Sequence, residues 1–402
     1  MTLLLFISWF VLLVISIPIV FFCIEVFVGL RKPKALDSSL LNSNARVSSV
    51  IVIPAHNEAL VIGKTLSALK KEIDPALDRI LVVADNCNDE TASIVKAQNV
   101  AVIERTNEKE RGKGFALEFA LNFLRDQSDQ PQIVVIFDAD CHFKANTFQT
   151  LKSICFQENR PVQAAYRLLA PKGAGVSTRV AEFAIRVKNV VRNRGLTAIG
   201  FPAVLTGTGM AFPFNAFEQV KLASSELAED MKLGVDMTLA GFPANYTDHA
   251  EVLSELPQAA EATSTQRERW EHGHLTVMKK YMPSVFKQSI QQKNITLFGT
   301  FLDLTIPPLS LLVLVSLLAT FAVSTVGVIG GNTALIIVSL CLVLLLVLTV
   351  LIAWWHHGRD LLSAHDLLTL PLFILSKVGV YRKFASGPQT AWVRTKRDGE
   401  DK

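Results

Sequence analysis

Three long apolar runs, with shorter apolar runs between them, set the pattern of this chain. The long runs cover residues 3–30, 298–326 and 334–355 and are almost free of charged side chains. A helix that crosses a bilayer needs about 20 consecutive apolar residues. The pattern therefore predicts three membrane helices, with an N-terminal anchor in residues 1–30 and a pair of helices in residues 298–355.

Basic residues after the first apolar run indicate its orientation. Arg31, Lys32 and Lys34 follow the run directly, and basic residues favour the cytosolic end of a membrane helix. This predicts a multi-pass protein of the cell membrane whose N-terminus lies outside and whose next domain is cytosolic. A cleaved signal peptide, the alternative, would begin with basic residues and have a shorter apolar core.

A fourth apolar run, residues 367–381, is short for a membrane span. It contains Pro371 and Lys377 and fits an interfacial or re-entrant helix. If this run crossed the membrane, the basic tail after it would lie outside, against the charge rule. We therefore predict an interfacial helix and a cytosolic tail in residues 367–402. The basic residues of the tail are Arg382, Lys383, Arg394, Lys396 and Arg397.

One carboxylate, Asp303, lies within the second long apolar run, ahead of Pro307-Pro308. A carboxylate inside a membrane is costly, and such residues usually have a function. The alternative is that Asp303 lies at the depth of the lipid headgroups.

The region between the long runs alternates between strand-like and helix-like segments. Apolar, β-branched runs at residues 47–54, 79–84, 101–104 and 132–137 are separated by segments with helical spacing of their apolar positions. This alternation predicts an α/β domain with a largely parallel sheet. In such sheets ligands bind at the carboxyl ends of the strands.

The composition excludes several classes of protein. The net charge is only +4, and there is no basic run with interleaved aromatic residues, which argues against a nucleic-acid partner. The five cysteines show no metal-ligand spacing, which fits a reduced cytosolic domain. No glycine-rich dinucleotide or P-loop motif follows a strand, which argues against a dehydrogenase or a P-loop enzyme.

Acidic residues follow two of the predicted strands. Asp85 ends the second, and Asp138 and Asp140 follow the fourth. Two carboxylates at positions i and i+2 of an extended segment point the same way. Together they suit a hard divalent cation, Mg²⁺ or Mn²⁺. His142 continues the alternation and is a further candidate ligand, whereas a simple strand-ending turn is the alternative for the whole segment.

Two more motifs follow in a fixed order, Glu229-Asp230 and Gln266-x-x-Arg269-Trp270. The complete order, D…DxD…ED…QxxRW, resembles the family 2 membrane glycosyltransferases, which include cellulose, chitin and hyaluronan synthases and some lipid glycosyltransferases. The resemblance implies a GT-A (Rossmann-like) cytosolic domain in residues 46–284. It also implies transfer of a sugar, with inversion, from a nucleotide-diphosphate donor.

The same resemblance implies the catalytic roles. Asp230 would be the base that takes the proton of the acceptor hydroxyl, and Glu229 would orient it. On its own, this pair also fits an exposed acidic start of a helix. Arg269 and Gln266 would bind near the diphosphate, and Trp270 would stack on a sugar ring. An interfacial basic-aromatic helix is the alternative for that motif.

Residues 54–58 and 82–89 resemble donor-binding segments of the family, whereas Arg111 and Lys113 are candidates because they offer two cations to a diphosphate. In Val82–Asp89 (VVADNCND), Ala84 replaces the commoner acidic residue, so Asp85 would hold the nucleotide alone or with Asp89. Asp89 also fits a cap of the next helix, which we favour. The remaining donor-binding candidates are Pro54, Asn57, Glu58, Arg111, Lys113 and Asp138.

The resemblance leaves more than one product open. A processive synthase would use a UDP-sugar to build an extracellular or cell-envelope polysaccharide, with export proteins or a homo-oligomer as partners in the bilayer. The alternative is transfer of one sugar to a lipid, such as a polyprenyl phosphate or a sphingolipid. A catalytically silent subunit of an export complex is the rival outside the enzymes. The sequence does not identify the sugar.

Overall fold

The computed structural model describes residues 1–32, 35, 46–257 and 260–387, with the backbone alone for residues 260–265. The chain forms two compact units. The sheet unit contains the described residues of 33–169 and 202–257, and the helical unit contains those of 1–32, 170–201 and 258–389. Four residues of the predicted basic segments lie outside the described residues. These are Lys34, Arg394, Lys396 and Arg397.

The described part of the sheet unit contains eight strands in one sheet. They are β1 (Ser49–Ala55), β2 (Asp78–Asp85), β3 (Ala101–Arg105), β4 (Ile133–Ile136), β5 (His142–Phe143), β6 (Val162–Leu169), β7 (Met210–Pro213) and β8 (Asn245–Glu255). Their order is β3-β2-β1-β4-β7-β6-β8-β5.

The predicted α/β fold is confirmed, and the sheet is mixed. Strands β3, β2, β1 and β4 are parallel, as the alternating pattern predicts. Strand β7 runs antiparallel to both β4 and β6, and β5 runs antiparallel to β8. The four predicted strands therefore form one parallel group, and β6 and β8 form a second parallel pair beyond β7.

The described residues also form fourteen α-helices. They are α1 (Thr2–Gly29), α2 (Ile62–Leu69), α3 (Thr91–Ala97), α4 (Lys113–Arg125), α5 (Thr147–Glu158), α6 (Val176–Arg186), α7 (Asn193–Ala198), α8 (Glu229–Leu239), α9 (Ala260–Gln291), α10 (Ile295–Leu304), α11 (Leu309–Ile329), α12 (Thr333–His357), α13 (Leu370–Ser376) and α14 (Val378–Ser386). A π-helix (Val187–Arg192) joins α6 to α7, and 3₁₀ turns cover Phe214–Glu218 and Asp366–Thr369.

The core of the sheet unit lies between the parallel strands and the helices that connect them. Ile51 and Ile53 of β1, Val135 of β4 and Leu66 of α2 are fully buried and belong to one apolar cluster. Each such side chain contributes about 1.5–3 kcal/mol when it is fully buried. This packing fixes where the strands end, and the acidic motifs follow those ends.

Three helices of the helical unit are long and apolar enough to cross a membrane, namely α1, α11 and α12. The predicted second span is wrong at its start, because the chain forms the short helix α10 and then turns. The span α11 begins at Leu309, immediately after Pro307-Pro308. Proline has no N–H to donate within a helix, so the pair separates the two helices.

Asp303 consequently lies in α10, ahead of the candidate span. Its Oδ1 accepts a hydrogen bond from Nη2 of Arg192 at 2.6 Å. Arg192 also donates from Nε to Glu25 of α1 at 2.5 Å. All three residues are buried. The arginine thus pairs both carboxylates, which offsets much of the cost of burying them.

Helix α1 and the segment formed by the π-helix and α7 approach each other closely at two glycines. A Cβ at Gly195 would overlap the backbone carbonyl of Glu25, and one at Gly29 would overlap the carbonyl oxygen of Val191. Gly195→Ala should therefore destabilise the protein by about 1–3 kcal/mol, although alanine normally favours a helix by about 1 kcal/mol. Thermal unfolding in detergent measures the change.

Gly379→Ala is the matched control for this prediction. Gly379 lies in α14, and a Cβ there would have no heavy atom within 4 Å. We expect this variant to be neutral or slightly stabilising. Equal unfolding midpoints for the two variants would contradict the close approach of α1 at Gly195.

Candidate active site

Asp138 and Asp140 lie just beyond the carboxyl end of β4, where the chain turns. The N–H of Cys141 donates to the carbonyl of Asp138 at 3.4 Å and closes the turn. One ligand atom each from Asp138, Asp140 and Cys141 lie within 4.8 Å of one another. Strand β1 is parallel to both β4 and β2, and β2 ends at Asp85, so both acidic motifs lie at the same edge of the sheet.

The thiol of Cys141 is poorly suited to bind a hard cation. Burial, and then the charges of Asp140 and Asp138, raise the pKa of this thiol. Its sulfur lies 3.2 Å from Oγ1 of Thr208 and 3.3 Å from Oγ of Ser254. A neutral thiol is a weak ligand for Mg²⁺ or Mn²⁺, whereas two carboxylates fit either ion.

His142 follows this turn but does not join the group among the residues described. It starts β5, pairs with Leu253 of β8, and is exposed. The role of His142 as a metal ligand stays a prediction.

Lys113 connects the DxD turn to the loop that precedes β7. It begins α4 directly after Gly112, and its Nζ contacts the carboxylate of Asp138 and donates to the carbonyl of Gly207 at 2.8 Å. Burial alone would lower the pKa of Lys113, but the carboxylates of Asp138, Glu229 and Asp230 outweigh it and raise the pKa. Lys113 is therefore a cation among three carboxylates.

Asp230 lies in the first turn of α8, next to Glu229. Its Oδ1 accepts from the N–H of Met231 at 2.8 Å. A Cβ at Gly207, where φ is +93°, would lie 3.4 Å from Oδ2 of Asp230 and 3.8 Å from Nζ of Lys113. A glycine at position 207 therefore allows the backbone to adopt this conformation beside both groups.

A small cleft opens beside these groups. Its charged lining consists of Lys113, Lys221, Glu229, Asp230 and Lys232. The structure thus brings together four of the predicted residues, Lys113, Asp138, Glu229 and Asp230, and places Asp140 in the adjoining turn.

The loop before β7 is held by a residue that the sequence analysis missed. Gln163 of β6 is fully buried, accepts from the N–H of Thr206 at 2.8 Å, and donates to the carbonyl of Thr208 at 2.9 Å. Thr208 in turn accepts from the N–H of Asp138 at 2.9 Å. The available signal was a glutamine between apolar residues of a strand-like run, since a buried amide needs partners.

The two predicted nucleotide-binding loops are joined to each other. Nδ1 of His56 lies 2.7 Å from the carbonyl oxygen of Asp85, and Oδ1 of Asn57 accepts from the N–H of Asn88 at 2.9 Å. Oδ1 of Asp85 accepts from Arg105 at 2.8 Å. Pro54 and Asp85, in the last residues of β1 and β2, and Asn57 and Glu58, in the loop after β1, therefore lie at one edge of the sheet unit. Their contact with a nucleotide stays a prediction.

Asp89 lies one residue before the N-cap of α3, which is Glu90, and hydrogen-bonds at the start of that helix. Its Oδ1 accepts from the N–H of Thr91, the first residue of α3, at 3.0 Å. Its Oδ2 accepts from the N–H of Ala59 at 3.1 Å. Asp89 thus supports the start of the helix and ties it to the first loop.

The other predicted residues lie elsewhere in the chain. Gln266, Arg269 and Trp270 are half-buried residues of α9 in the helical unit. Arg111 is exposed, and its guanidinium lies 3.9 Å from Glu108. The catalytic or donor-binding roles of these four residues stay predictions.

The raised pKa of Glu229 predicts that the stability of the folded protein depends on pH. Burial first, and the charge of Asp230 second, raise the pKa of Glu229 from 4.5 to about 7. A carboxyl group whose pKa is higher in the folded state contributes stability that is complete below the unfolded pKa. That stability is lost as the pH rises through the folded pKa. In metal-free buffer, the free energy of unfolding of the wild type should fall relative to Glu229→Gln from about pH 5 to about pH 8.

Thermal unfolding of both proteins across this range measures the difference. Glu108→Gln serves as the control, because it also replaces a carboxylate by an amide but at a side chain that is 82% exposed. This variant should keep the pH profile of the wild type. Parallel profiles for the wild type and Glu229→Gln would contradict the prediction.

Comparison with known proteins identifies the family of the chain. The sequence profile of the glycosyltransferase-like family 2 matches residues 47–273. Glucomannan 4-beta-mannosyltransferase 7 of Arabidopsis thaliana is 25% identical over 326 residues, which are 72% of this chain and 56% of that protein. Probable glycosyltransferase YdaM of Bacillus subtilis is 26% identical over 267 residues, which are 62% of this chain and 61% of that protein. The chain thus spans little more than half the length of these curated relatives.

A solved structure shares the fold over nearly the whole chain. It is the mannosyltransferase PcManGT from Pyrobaculum calidifontis, in complex with GDP-Man and Mn²⁺. The TM-score is 0.59 at 16% identity, and the alignment covers 95% of this chain and 99% of that one. At this identity the likeness concerns the fold alone. Because the family profile covers more than half of its residues, the chain belongs to the glycosyltransferase-like family 2, and it has a GT-A fold.

Proposed function

We propose that the protein is a membrane-bound, inverting glycosyltransferase that uses a nucleotide-diphosphate sugar and has its active site in the cytosol. The observation that carries the proposal is the meeting of Lys113, Asp138 and Asp230 at the carboxyl edge of the sheet, beside a cleft. A carboxylate pair for a metal, a cation for a diphosphate and a carboxylate for a proton are the groups that this reaction needs. The three candidate membrane helices support the proposed location.

The chain's own residues would act as follows. Asp230 accepts the proton of the acceptor hydroxyl as its oxygen attacks the anomeric carbon. The new glycosidic C–O bond forms on the face opposite the diphosphate, and the bond between the sugar and the diphosphate breaks. The electron pair of that bond leaves with the nucleoside diphosphate. Lys113, already among carboxylates, is placed to pair with the charge that develops on the leaving group.

Asp138 and Asp140 would hold the divalent cation. Their carboxylate oxygens fit Mg²⁺ or Mn²⁺, which prefer oxygen ligands to the sulfur of Cys141. When bound, either ion would neutralise charge on the leaving diphosphate.

The sugar donor could carry either of two nucleotides, UDP or GDP. The sequence resemblance favours a UDP-sugar. The names of two similar proteins favour a mannosyl donor instead, since one is a mannosyltransferase and the other was solved with GDP-Man. We therefore propose a nucleotide-diphosphate hexose and test both nucleotides.

We propose a cell-envelope polysaccharide as the product, with transfer of one sugar to a lipid as the second candidate. The described residues contain three candidate spans, so export of a polymer would depend on a homo-oligomer or on partner export proteins. The small number of spans is what favours the lipid acceptor as the second candidate.

Product size decides between them. The full chain in lipid nanodiscs is supplied with radiolabelled UDP-sugars and GDP-mannose, with Mg²⁺ or Mn²⁺ and a polyprenyl phosphate. A high-molecular-weight product that a specific glycosidase digests would support the polysaccharide, and a small label that extracts into organic solvent would support the lipid acceptor. The absence of transfer from every donor would contradict the proposed activity.

A further inference from the structure

We infer that the C-terminal segment, residues 366–386, is a brace that positions Gln266, Arg269 and Trp270 by holding another face of helix α9. The inference rests on the proposed function, and on the roles in sugar transfer that the sequence resemblance implies for these three residues. It concerns the helical unit alone, and the contacts that carry it are made by their neighbours on the same helix.

Helix α9 has two distinct faces around the motif. Successive residues of an α-helix are about 100° apart around its axis. Gln266, Arg269 and Trp270 therefore fall within one sector of about 100°. Four of their neighbours on the helix point away from this sector and make contacts with the C-terminal segment. They are Arg267, Glu268, Glu271 and His272.

A buried ion pair is the strongest of these contacts. Nζ of Lys377 donates to Oε1 of Glu271 at 2.6 Å, and the exposed fractions of the two side chains are 9% and 15%. Lys377 lies between α13 and α14, where the sequence interrupts an apolar run. A charge at this place would be costly without a partner.

Three further contacts flank the pair. Nε2 of His272 lies 3.0 Å from the carbonyl oxygen of Val380, and the same ring stands edge-on to Phe384 at 5.4 Å. The guanidinium of Arg267 lies 6.0 Å from the ring centre of Phe373. The brace thus contacts α9 over more than one helical turn through charged, polar and aromatic groups. These contacts fix the rotation of α9 about its axis and its position along that axis.

The outer side of the brace is suited to a lipid surface. Hydroxyl groups of Tyr381 in α14 and Ser310 in the first turn of the candidate span α11 lie 2.5 Å apart. This places the brace at one end of a candidate span. Leu368, Leu372 and Leu375 are 73%, 70% and 59% exposed and follow helical spacing. An exposed leucine row at the end of a span fits the apolar boundary of the bilayer.

The decisive experiment breaks and then restores the buried pair in the full chain in nanodiscs. Lys377→Met and Glu271→Gln should each lower kcat about tenfold, since small misplacements of a catalytic group have effects of this size or more. Hydrogen exchange of the backbone amides of residues 266–273 should become faster in both. The reversed pair, Lys377→Glu with Glu271→Lys, should recover kcat and slow the exchange again. Lys377→Arg, which keeps the charge, should retain most of the activity.

A matched control separates this role from a general loss of charge. Lys96→Met removes a lysine from the exposed pair Lys96–Glu104 of the sheet unit, and should change neither kcat nor the exchange of residues 266–273. Unchanged kcat and exchange in Lys377→Met would overturn the brace. So would a fall in kcat that the reversed pair and Lys377→Arg both fail to restore. A wild-type protein that transfers no sugar would contradict the proposed function. Hydrogen exchange of residues 266–273 would still test whether the brace holds helix α9.

Discussion

Asp230→Asn is expected to lower kcat by about 10²- to 10⁴-fold, the usual contribution of a general base. The amide cannot take the proton of the acceptor hydroxyl. Its oxygen can still accept the hydrogen bond that Oδ1 of Asp230 accepts from the N–H of Met231 at 2.8 Å. The start of α8 should therefore keep its geometry, and the loss should appear in kcat rather than in donor binding. Initial rates with the donor identified by the product assay, together with donor binding by calorimetry, measure both quantities.

Asp236→Asn is the control on the same helix. Asp236 contacts Lys232 one turn away, with a side chain that is 23% exposed. Its loss should cost little, because partly exposed ion pairs contribute about 0–1 kcal/mol. Full activity of Asp230→Asn would remove Asp230 from the role of base. Glu229 would then become the candidate to test.

The neighbouring carboxyl group has a different character. Burial and the charge of Asp230 raise the pKa of Glu229 to about 7. Glu229 is therefore protonated for part of the time near neutral pH, and in that form it can donate a hydrogen bond. This suits a residue that orients a base or an acceptor. Glu229→Gln, which keeps a donor and an acceptor, should consequently be milder than Asp230→Asn.

The local sequence pattern was sufficient to predict the four parallel strands β1 to β4 and the position of the acidic motifs. Short β-branched runs can be recognised one at a time, and parallel strands bring their carboxyl ends to one edge. Asp85 and the Asp138–Asp140 turn follow such ends. The antiparallel strand β7 has only four residues and pairs with strands far away in sequence, so no local period marks it.

The local sequence pattern could not predict contacts between residues far apart in the chain. Lys113 was predicted to meet a diphosphate, but its contact with Asp138 joins residues 25 positions apart and depends on how α4 packs. Gln163 was missed because its partners lie 43 and 45 positions away in the loop before β7. The break at Pro307-Pro308 had a visible signal, which the continuous apolar run around it obscured.

Asp138→Asn and Asp140→Asn should each weaken Mn²⁺ binding, and should lower kcat by at least about 10²-fold if the ion stabilises the leaving group. Each variant replaces one of two hard anionic ligands by a neutral amide, which Mg²⁺ and Mn²⁺ bind less well. Electron paramagnetic resonance of free Mn²⁺ during titration measures the affinity without reference to activity. Asp129→Asn, which removes an exposed carboxylate paired with Arg79, should leave the affinity unchanged.

A substitution of Lys113 should have the opposite effect on Mn²⁺ affinity. Its ammonium group contacts the carboxylate of Asp138, so it competes with a cation for the same oxygens. Lys113→Met should therefore bind Mn²⁺ at least as tightly as the wild type, while kcat falls because the leaving diphosphate loses a positive partner. Weaker Mn²⁺ binding in Lys113→Met, or wild-type affinity in both aspartate variants, would contradict a metal site at Asp138 and Asp140. Mn²⁺ affinity should thus fall in the aspartate variants and should not fall in Lys113→Met, although Lys113 and Asp138 are in contact. This difference would show that the carboxylates bind the ion and that the lysine acts on the substrate.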